Sequence, residues 1–307
     1  MNDFDSLRTR MLQHVATRGY DVLAPVSGLD ADAAARDPWE ISSRFFGEPP
    51  SMVERQPIKS VPQGRSFASN SAFTPLHTDS QMFGGVSPHA QLMFCAKAAQ
   101  QGGITLLLDT HALLAMIQRD EPRFFQALFT RARRIPFVFG DVEGPTVSWR
   151  AGCLVFTHSP MRTDDEIGRQ LQSYLARMSP LEVPVPDGHI LIVDNHRMLH
   201  GRTAFSDESR RFTRLLVWRK SRFTRHDHFE ALARAEAYRV VPQNVAQPSE
   251  ITEQKRRIVL DMLRGVPPGV LAQRYGVPEP KLYQWRDAAV AAMDRALEAD
   301  ARKAEGS

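Results

Sequence analysis

The chain has 307 residues, 42% hydrophobic and 24% charged, proportions that exclude a disordered chain, a collagen-like fibre and a coiled-coil rod. No run of about 18 apolar residues occurs, so no bilayer span is expected; the acidic start from Met1 to Asp5 lacks the order of a secretory signal, and the expected location is cytoplasmic. The net charge of +4 permits acidic partners without demanding nucleic acid, and two cysteines, Cys95 and Cys153, are too few for a disulfide framework or a thiolate zinc site and read as small buried residues.

Leu7, Met11, Leu12 and Val15 recur at helical spacing and predict an amphipathic helix over residues 5–19, followed by a short strand at 20–24. Pro49, Pro50, Pro57 and Pro62 mark 49–71 as irregular. Beyond it, β-type runs at 91–96, 104–109, 136–139, 154–157, 189–194 and 212–218 alternate with loops, of which 141–150 is one. Helices are predicted at 111–119, continuing to 132, and at 164–178, where Ile167, Leu171, Tyr174 and Leu175 keep the period. Many short strands with few long helices predict a mainly β sandwich or barrel decorated by helices. After Phe229 the composition changes. Residues 230–238 are Ala-rich and helical, 242–249 are a polar linker, and the chain is helical from 251. The division is therefore 1–240, a linker at 241–250, and a small all-α module at 251–307.

Two imidazoles and one carboxylate on one side of an iron ion leave positions open for a co-substrate and oxygen. His77-Thr78-Asp79 offers the usual first pair, His-x-Asp. Ten histidines and 35 acidic residues predict about one such triplet by chance, so the triplet carries little alone. Its context carries more. Ser71 to Phe83 surrounds it, and Asp194-Asn195-His196-Arg197-Met198-Leu199-His200-Gly201-Arg202 follows much later, then an arginine cluster at 210–214. Over roughly residues 60–220 the sequence resembles the TauD/TfdA family of Fe(II)- and 2-oxoglutarate-dependent oxygenases, with its γ-butyrobetaine hydroxylase and clavaminate synthase-like branches.

The resemblance implies a double-stranded β-helix, or jelly roll, with His77, Asp79 and His200 as catalytic metal ligands and with Fe(II), 2-oxoglutarate and O2 as cofactors. His200 lies 123 positions beyond His77, so only long-range strand pairing brings them together. Within that family an aspartate at 79 argues for hydroxylation or another oxidation rather than halogenation, with desaturation and ring formation left open by substrate pose. The far carboxylate of 2-oxoglutarate needs a buried forked cation, and arginine fits. By the family's spacing the candidates are Arg210, Arg211 and Arg214. On a strand Arg210 and Arg214 share a face with Phe212, and Arg211 points the other way. Arg210 is read as the partner of the far carboxylate, Arg214 as lying near the iron-bound end, and Arg211 as the fallback; each alone also fits a solvated basic strand. Thr105 matches a family threonine that hydrogen-bonds 2-oxoglutarate. Arg202 fits an anionic substrate group or a structural salt bridge. His89, His111, His158, His189 and His196 read as surface or hydrogen-bonded core residues, and His226 with His228 as an exposed charged stretch.

The implied reaction is hydroxylation of an unactivated C–H in a small polar substrate, amino-acid-like or carrier-tethered, with release of succinate and CO2. The rival is a DNA-binding regulator that senses 2-oxoglutarate or iron on a degenerate oxygenase fold. A nucleic-acid-modifying oxygenase guided by the C-terminal helices is a further alternative. That C-terminal segment fits a helix-turn-helix: Ala272 sits at a helix crossing, Gly276 makes the turn, and Leu271, Tyr275, Val277, Leu282 and Trp285 are the buried points. It resembles the helix-turn-helix of transposase-type proteins. Its presumed reading face offers Glu279, Lys281, Gln284 and Arg286, a mixed set, and ten Lys/Arg against eight Asp/Glu leave 251–307 only slightly basic. Docking to a carrier protein or self-association is the expectation, with DNA the less favoured partner.

Overall fold

In the computed structural model of the chain, residues 3–61, 67–79, 86–137, 141–150, 152–161, 163, 165–207, 209–223, 239–241, 250–263, 266–283, 285–287 and 289 are described. The chain divides into two compact units between Val240 and Val241.

Helix α1 (Asp3–Arg18) stops at Gly19, whose φ of +86° suits a residue without a side chain, and β1 (Tyr20–Leu23) follows. Helices α2 (Ala31–Arg36) and α3 (Pro38–Phe46) fill a stretch in which periodicity predicts no element. Their starts are chemically marked. Asp30 accepts the Ala33 N–H, Asp37 accepts the Glu40 N–H, and Pro38 takes a first-turn position where its missing N–H costs nothing. Then come β2 (Met52–Lys59), β3 (Thr74–His77), β4 (Ala90–Lys97), β5 (Thr105–Asp109), α4 (Thr110–Asp120), α5 (Pro122–Thr130), β6 (Arg133–Ile135), β7 (Asp141–Gly144), β8 (Val147–Arg150), β9 (Cys153–Phe156), α6 (Glu166–Leu175), β10 (Leu181–Val183), β11 (Ile190–Asp194), β12 (Met198–Arg202) and β13 (Arg211–Trp218).

Two antiparallel sheets form the body, one in the order β1-β11-β4-β13-β2 and the other β10-β5-β12-β3. The period of two sorts their residues. Ile190 and Ile192 join Leu92, Phe94, Leu215 and Val217 under helices α1–α3, whereas Leu191 and Val193 join Cys95 and Phe212 on the opposite face. That second face packs on Leu107, Val183 and Met198 of the four-stranded sheet, forming the inter-sheet core. On the outer face of the four-stranded sheet, Leu108 and Leu199 pack with α4, α5 and α6.

Three expectations are corrected. The irregular stretch 49–71 contains β2, and an edge strand tolerates Pro57 because one side of it carries no ladder bonds. Of the strand expected at 136–139, Pro136 and Phe137 follow the end of β6 and are not strand, and 138 and 139 lie outside the described residues. The expected loop 141–150 holds β7 and β8, paired antiparallel with β6 and β9.

At the division lies β14 (Arg239–Val241). The second unit has α7 (Glu250–Leu263) and α8 (Pro268–Tyr275), with further helical turns at 279–283 and 285–287. Gly276 caps α8 with φ +63°. Ile258, Leu271 and Leu282 are buried together, flanked by Ala272, Tyr275, Val277 and Trp285, so the positions expected to be apolar contacts are apolar contacts. The helix expected at 230–238, the linker at 242–249, His226 and His228 lie outside the described residues. No helix among the described residues is long and apolar enough to cross a membrane.

Candidate active site

His77 ends β3 and His200 stands directly opposite it on β12, as cross-strand partners with ring centroids 4.4 Å apart. Asp79 lies two residues past His77, with Oδ1 3.4 Å from His77 Nε2 and Oδ2 3.5 Å from His200 Nε2. The ligand atoms of the three all fall within 4.8 Å of one another. His77 Nδ1–H donates to the Pro75 carbonyl at 2.8 Å, which turns Nε2 toward the trio. Burial and the neighbouring His77 push the His200 imidazole down, toward its neutral form. Burial alone would raise the Asp79 carboxyl, but the Arg214 guanidinium and the His200 and His77 rings hold it well below the usual range. Two imidazoles and a carboxylate are a fitting donor set for Fe(II).

Local irregularity aims these groups. The β3–β12 register shifts between His200–His77 and Arg202–Thr74, so Thr74 and His77, three residues apart, meet partners only two apart. Such a bulge turns both toward the same side. The strands close tightly there, and a Cβ on Gly201 would sit 2.6 Å from the Thr74 carbonyl oxygen. The glycine after the distal histidine is thus a requirement of backbone approach.

The other residues of the 194–202 segment hold the site. Asn195 brackets Asp79: its Oδ1 accepts the Asp79 N–H (3.2 Å) and its Nδ2 donates to the Asp79 carbonyl (3.3 Å) and to Pro88 (3.0 Å). Arg197 forks onto Asp109 at 2.9 and 2.6 Å and also binds the Ala16 and Thr17 carbonyls at the end of α1. From β4, Gln91 Nε2 donates to Asp79 Oδ2 (3.1 Å) and to Asn195 Oδ1 (3.1 Å), and lies 3.0 Å from His200 Nε2. Neither Asn195 nor Gln91 is named among the expected site residues. Amides are not ligands, and only the position of Asn195 inside the signature hinted at it.

The arginines separate as the strand alternation requires. Arg214, on the inner face of β13, pairs with Asp79 Oδ2 and binds Gln56 Oε1. Arg211 is exposed beside Lys59 and Lys97, which leaves the fallback candidate out of the site. Arg210 is 2% exposed, and its Nε and Nη1 are buried with no hydrogen-bond partner among the described residues. Its guanidinium lies 4.2 Å from the Phe212 ring and 5.2 Å from Phe205. Burial, then repulsion from Arg202, pushes it down to about 10. Gly103 at φ +67° leaves it room, since a Cβ there would meet Arg210 Nε at 3.0 Å. A buried cation whose donors find no acceptor among the described residues fits a carboxylate ligand. Thr105 is buried on β5, opposite Arg202. Arg202 makes no salt bridge among the described residues: its bonds run to the carbonyls of Phe67, Asn70 and Ala72 and to the Asn70 side chain.

A second group among the described residues, His89, Cys153 and His196, also clusters within 4.8 Å. Its hydrogen bonds read as structural. The Arg219 N–H donates to His89 Nδ1 (3.2 Å), which puts the His89 proton on Nε2, 3.4 Å from Cys153 Sγ. His196 Nε2–H donates to the Ser87 carbonyl at 2.8 Å. Burial pushes the Cys153 thiol up to about 11 and His89 down to about 4, so the pair stays neutral. Cys95 is likewise a buried free thiol.

Residues 24–216, well over half of the chain, match the family described as "Taurine catabolism dioxygenase TauD, TfdA family". The chain belongs to that family. This TauD/TfdA protein is a 2-oxoglutarate-dependent dioxygenase and uses Fe(II), 2-oxoglutarate and O2. Its fold is similar to that of an asparagine oxygenase solved with Fe(II), 2S,3S-3-hydroxyasparagine and succinate, at 17% identity and TM-score 0.52, covering 70% of this chain and 79% of that one. It is also similar to the non-heme iron oxygenase OrfP solved with Fe and alpha-ketoglutaric acid (16%, TM-score 0.50, 71% and 79%). A third is the PvcB protein from Pseudomonas aeruginosa (18%, TM-score 0.50, 71% and 82%). Among curated proteins nothing matches this TauD/TfdA sequence.

Proposed function

We propose that residues 1–240 form a jelly-roll hydroxylase acting on a small, polar, amino-acid-like molecule, with Fe(II) held by His77, Asp79 and His200. The observation that carries this is the meeting of His77, Asp79 and His200, with donor atoms within 4.8 Å, on strands distant in sequence. Bound together, iron and 2-oxoglutarate would supply, with O2 as oxidant, an oxidative decarboxylation to succinate and CO2 that places one oxygen atom in succinate and the other in the hydroxylated C–H bond. The chain's part is positioning. Arg210 and Thr105 hold the far carboxylate of the co-substrate, and Arg214 lies at the metal end beside Asp79. Asn195 fixes the Asp79 backbone and Gln91 its carboxylate, and the Phe67 ring, 5.1 Å from that of His77, walls one side of the centre. The substrate class leans on the asparagine oxygenase, whose bound product is a hydroxylated amino acid. Residues 251–307 are read as a separate helix-turn-helix-like module for docking or self-association, within a cytoplasmic protein.

Anaerobic addition of Fe(II) and 2-oxoglutarate to the purified protein is expected to give a lilac charge-transfer band that His77→Ala lacks. Succinate release is then screened against amino acids and organic acids. Absence of the band in the wild type would overturn the proposal. A band with stimulation by no free small molecule would instead point to a carrier-tethered substrate.

A further inference from the structure

Arg202 and Arg210 are both buried, at 7% and 2% exposure, and neither has a carboxylate partner among the described residues. Their guanidinium carbons lie 4.7 and 5.2 Å from the centre of one ring, that of Phe205. Two like charges sharing a ring inside a protein are costly unless an anion joins them. The donors divide in a telling way. Arg202 spends Nη1 on the Phe67 carbonyl (3.2 Å) and Nη2 on Asn70 and Ala72 carbonyls (2.9 and 2.7 Å), while its Nε is buried without a partner. Two Arg210 donors and the Thr74 hydroxyl oxygen are likewise buried without partners among the described residues. Thr74, Arg202 and Thr105 form one row across β3, β12 and β5, two residues along β12 from His200. At about 3.4 Å per residue, that step of roughly 7 Å matches the reach of a five-carbon dicarboxylate anchored at the metal.

The segment that Arg202 grips matters because Phe67 packs on the ligand His77 (5.1 Å) and remains 37% exposed on its other side. The Phe205 N–H, on the ring's own residue, donates to the Ser71 carbonyl at 3.0 Å and fastens the same segment. We propose that Arg202 is a positioning residue that couples the co-substrate to the wall of the active site: its Nη groups strap residues 67–72, while its charge and Nε support the far-carboxylate site of Arg210. The proposal rests on the functional reading above. The coupling is reciprocal, so binding of the dicarboxylate tightens the strap and the seated strap favours binding.

The test uses the full-length protein with Fe(II), without oxygen, and 2-oxoglutarate as the probe. Affinity is read from the charge-transfer band and strap closure from chymotrypsin cleavage after Phe67 and Phe73. In the wild type 2-oxoglutarate is expected to slow cleavage at both sites about tenfold. Arg202→Gln is expected to weaken 2-oxoglutarate about tenfold or more and to abolish the protection. Arg202→Lys keeps the charge but not the fork, so it is expected to bind 2-oxoglutarate within about threefold of wild type yet lose the protection. Wild-type cleavage indifferent to 2-oxoglutarate would overturn the coupling, and this arm needs no variant to fold. Gln and Lys variants equally impaired in both readouts, or a Gln variant binding like wild type, would also overturn it. A wild type with no charge-transfer band defeats the functional reading itself; a normal wild-type band with an unaffected Gln variant defeats this inference alone.

Discussion

Gly201→Ala puts one methyl group where β12 presses on the β3 bulge. The new Cβ would stand 2.6 Å from the Thr74 carbonyl oxygen, roughly 0.8 Å short of the 3.4 Å at which ordinary contact begins, with Pro75 C at 3.2 Å and Leu76 N at 3.3 Å behind it. All three are backbone atoms, so no flexible side-chain end can yield. Relief must come from parting β12 and β3, the strands that carry His200 and His77. Overpacking of this kind costs about 1–3 kcal/mol, and a displacement approaching 1 Å between reacting groups costs about 100-fold in rate. The expectation is therefore a stability loss of ~1–3 kcal/mol in urea together with a loss of about 100-fold in Fe(II)-dependent succinate formation. Gly188→Ala is the control. It has positive φ (+74°) and meets only the Pro25 side chain, so it should lose stability while keeping turnover. Were Gly201→Ala to retain wild-type iron affinity and turnover, the account of the bulge as the device that sets the ligand spacing would be wrong.

Burial raises the Asp194 carboxyl to about 7, so between about pH 4 and 7 the folded chain keeps a proton that the unfolded chain has lost, and stability falls as pH rises through that window. Asp194→Asn should therefore melt above wild type at pH 8, by at most ~4 kcal/mol, and alongside it at pH 4. His89 runs the other way: burial lowers it to about 4, so stability present above about pH 6.5 is lost as pH falls toward 4. His89→Gln, which keeps an acceptor for the Arg219 N–H, should reduce the gap between urea midpoints at pH 8 and pH 5. Arg210→Lys keeps a charge between Phe205 and Phe212 but loses the fork, so the KM for 2-oxoglutarate should rise about 10- to 100-fold with kcat little changed; a fall in kcat alone would remove Arg210 from the far-carboxylate role.

The ligand trio was legible because its residue types are few and the distal segment is long. The alternation on β13 also separated Arg210 and Arg214 from Arg211, since Phe212 marks the buried face. Strand β2 was hidden by Pro57, whose tolerance depends on an edge position that only the sheet order reveals. Helix α3 carried a readable start in Asp37-Pro38-Trp39-Glu40, but nine residues give too short a period to stand out. Arg202 illustrates a deeper limit. A sequence reading matched its charge to a charged partner, whereas the fold supplies backbone carbonyls from a segment more than a hundred positions away. Gln91 and Asn195 escaped for a related reason, because supporting amides are recognised only once the carboxylate they orient is located in space.

On the proposed ligand set, the pairing of β3 with β12 also governs when iron can enter. His77 and Asp79 leave the ribosome long before His200, and two ligands make a poor cage. Until the distal strand has emerged and docked, a nascent chain cannot grip a redox-active ferrous ion beside its own unfinished backbone. Metal capture then becomes a late event, and a loaded centre certifies that strands bearing residues 123 positions apart have closed.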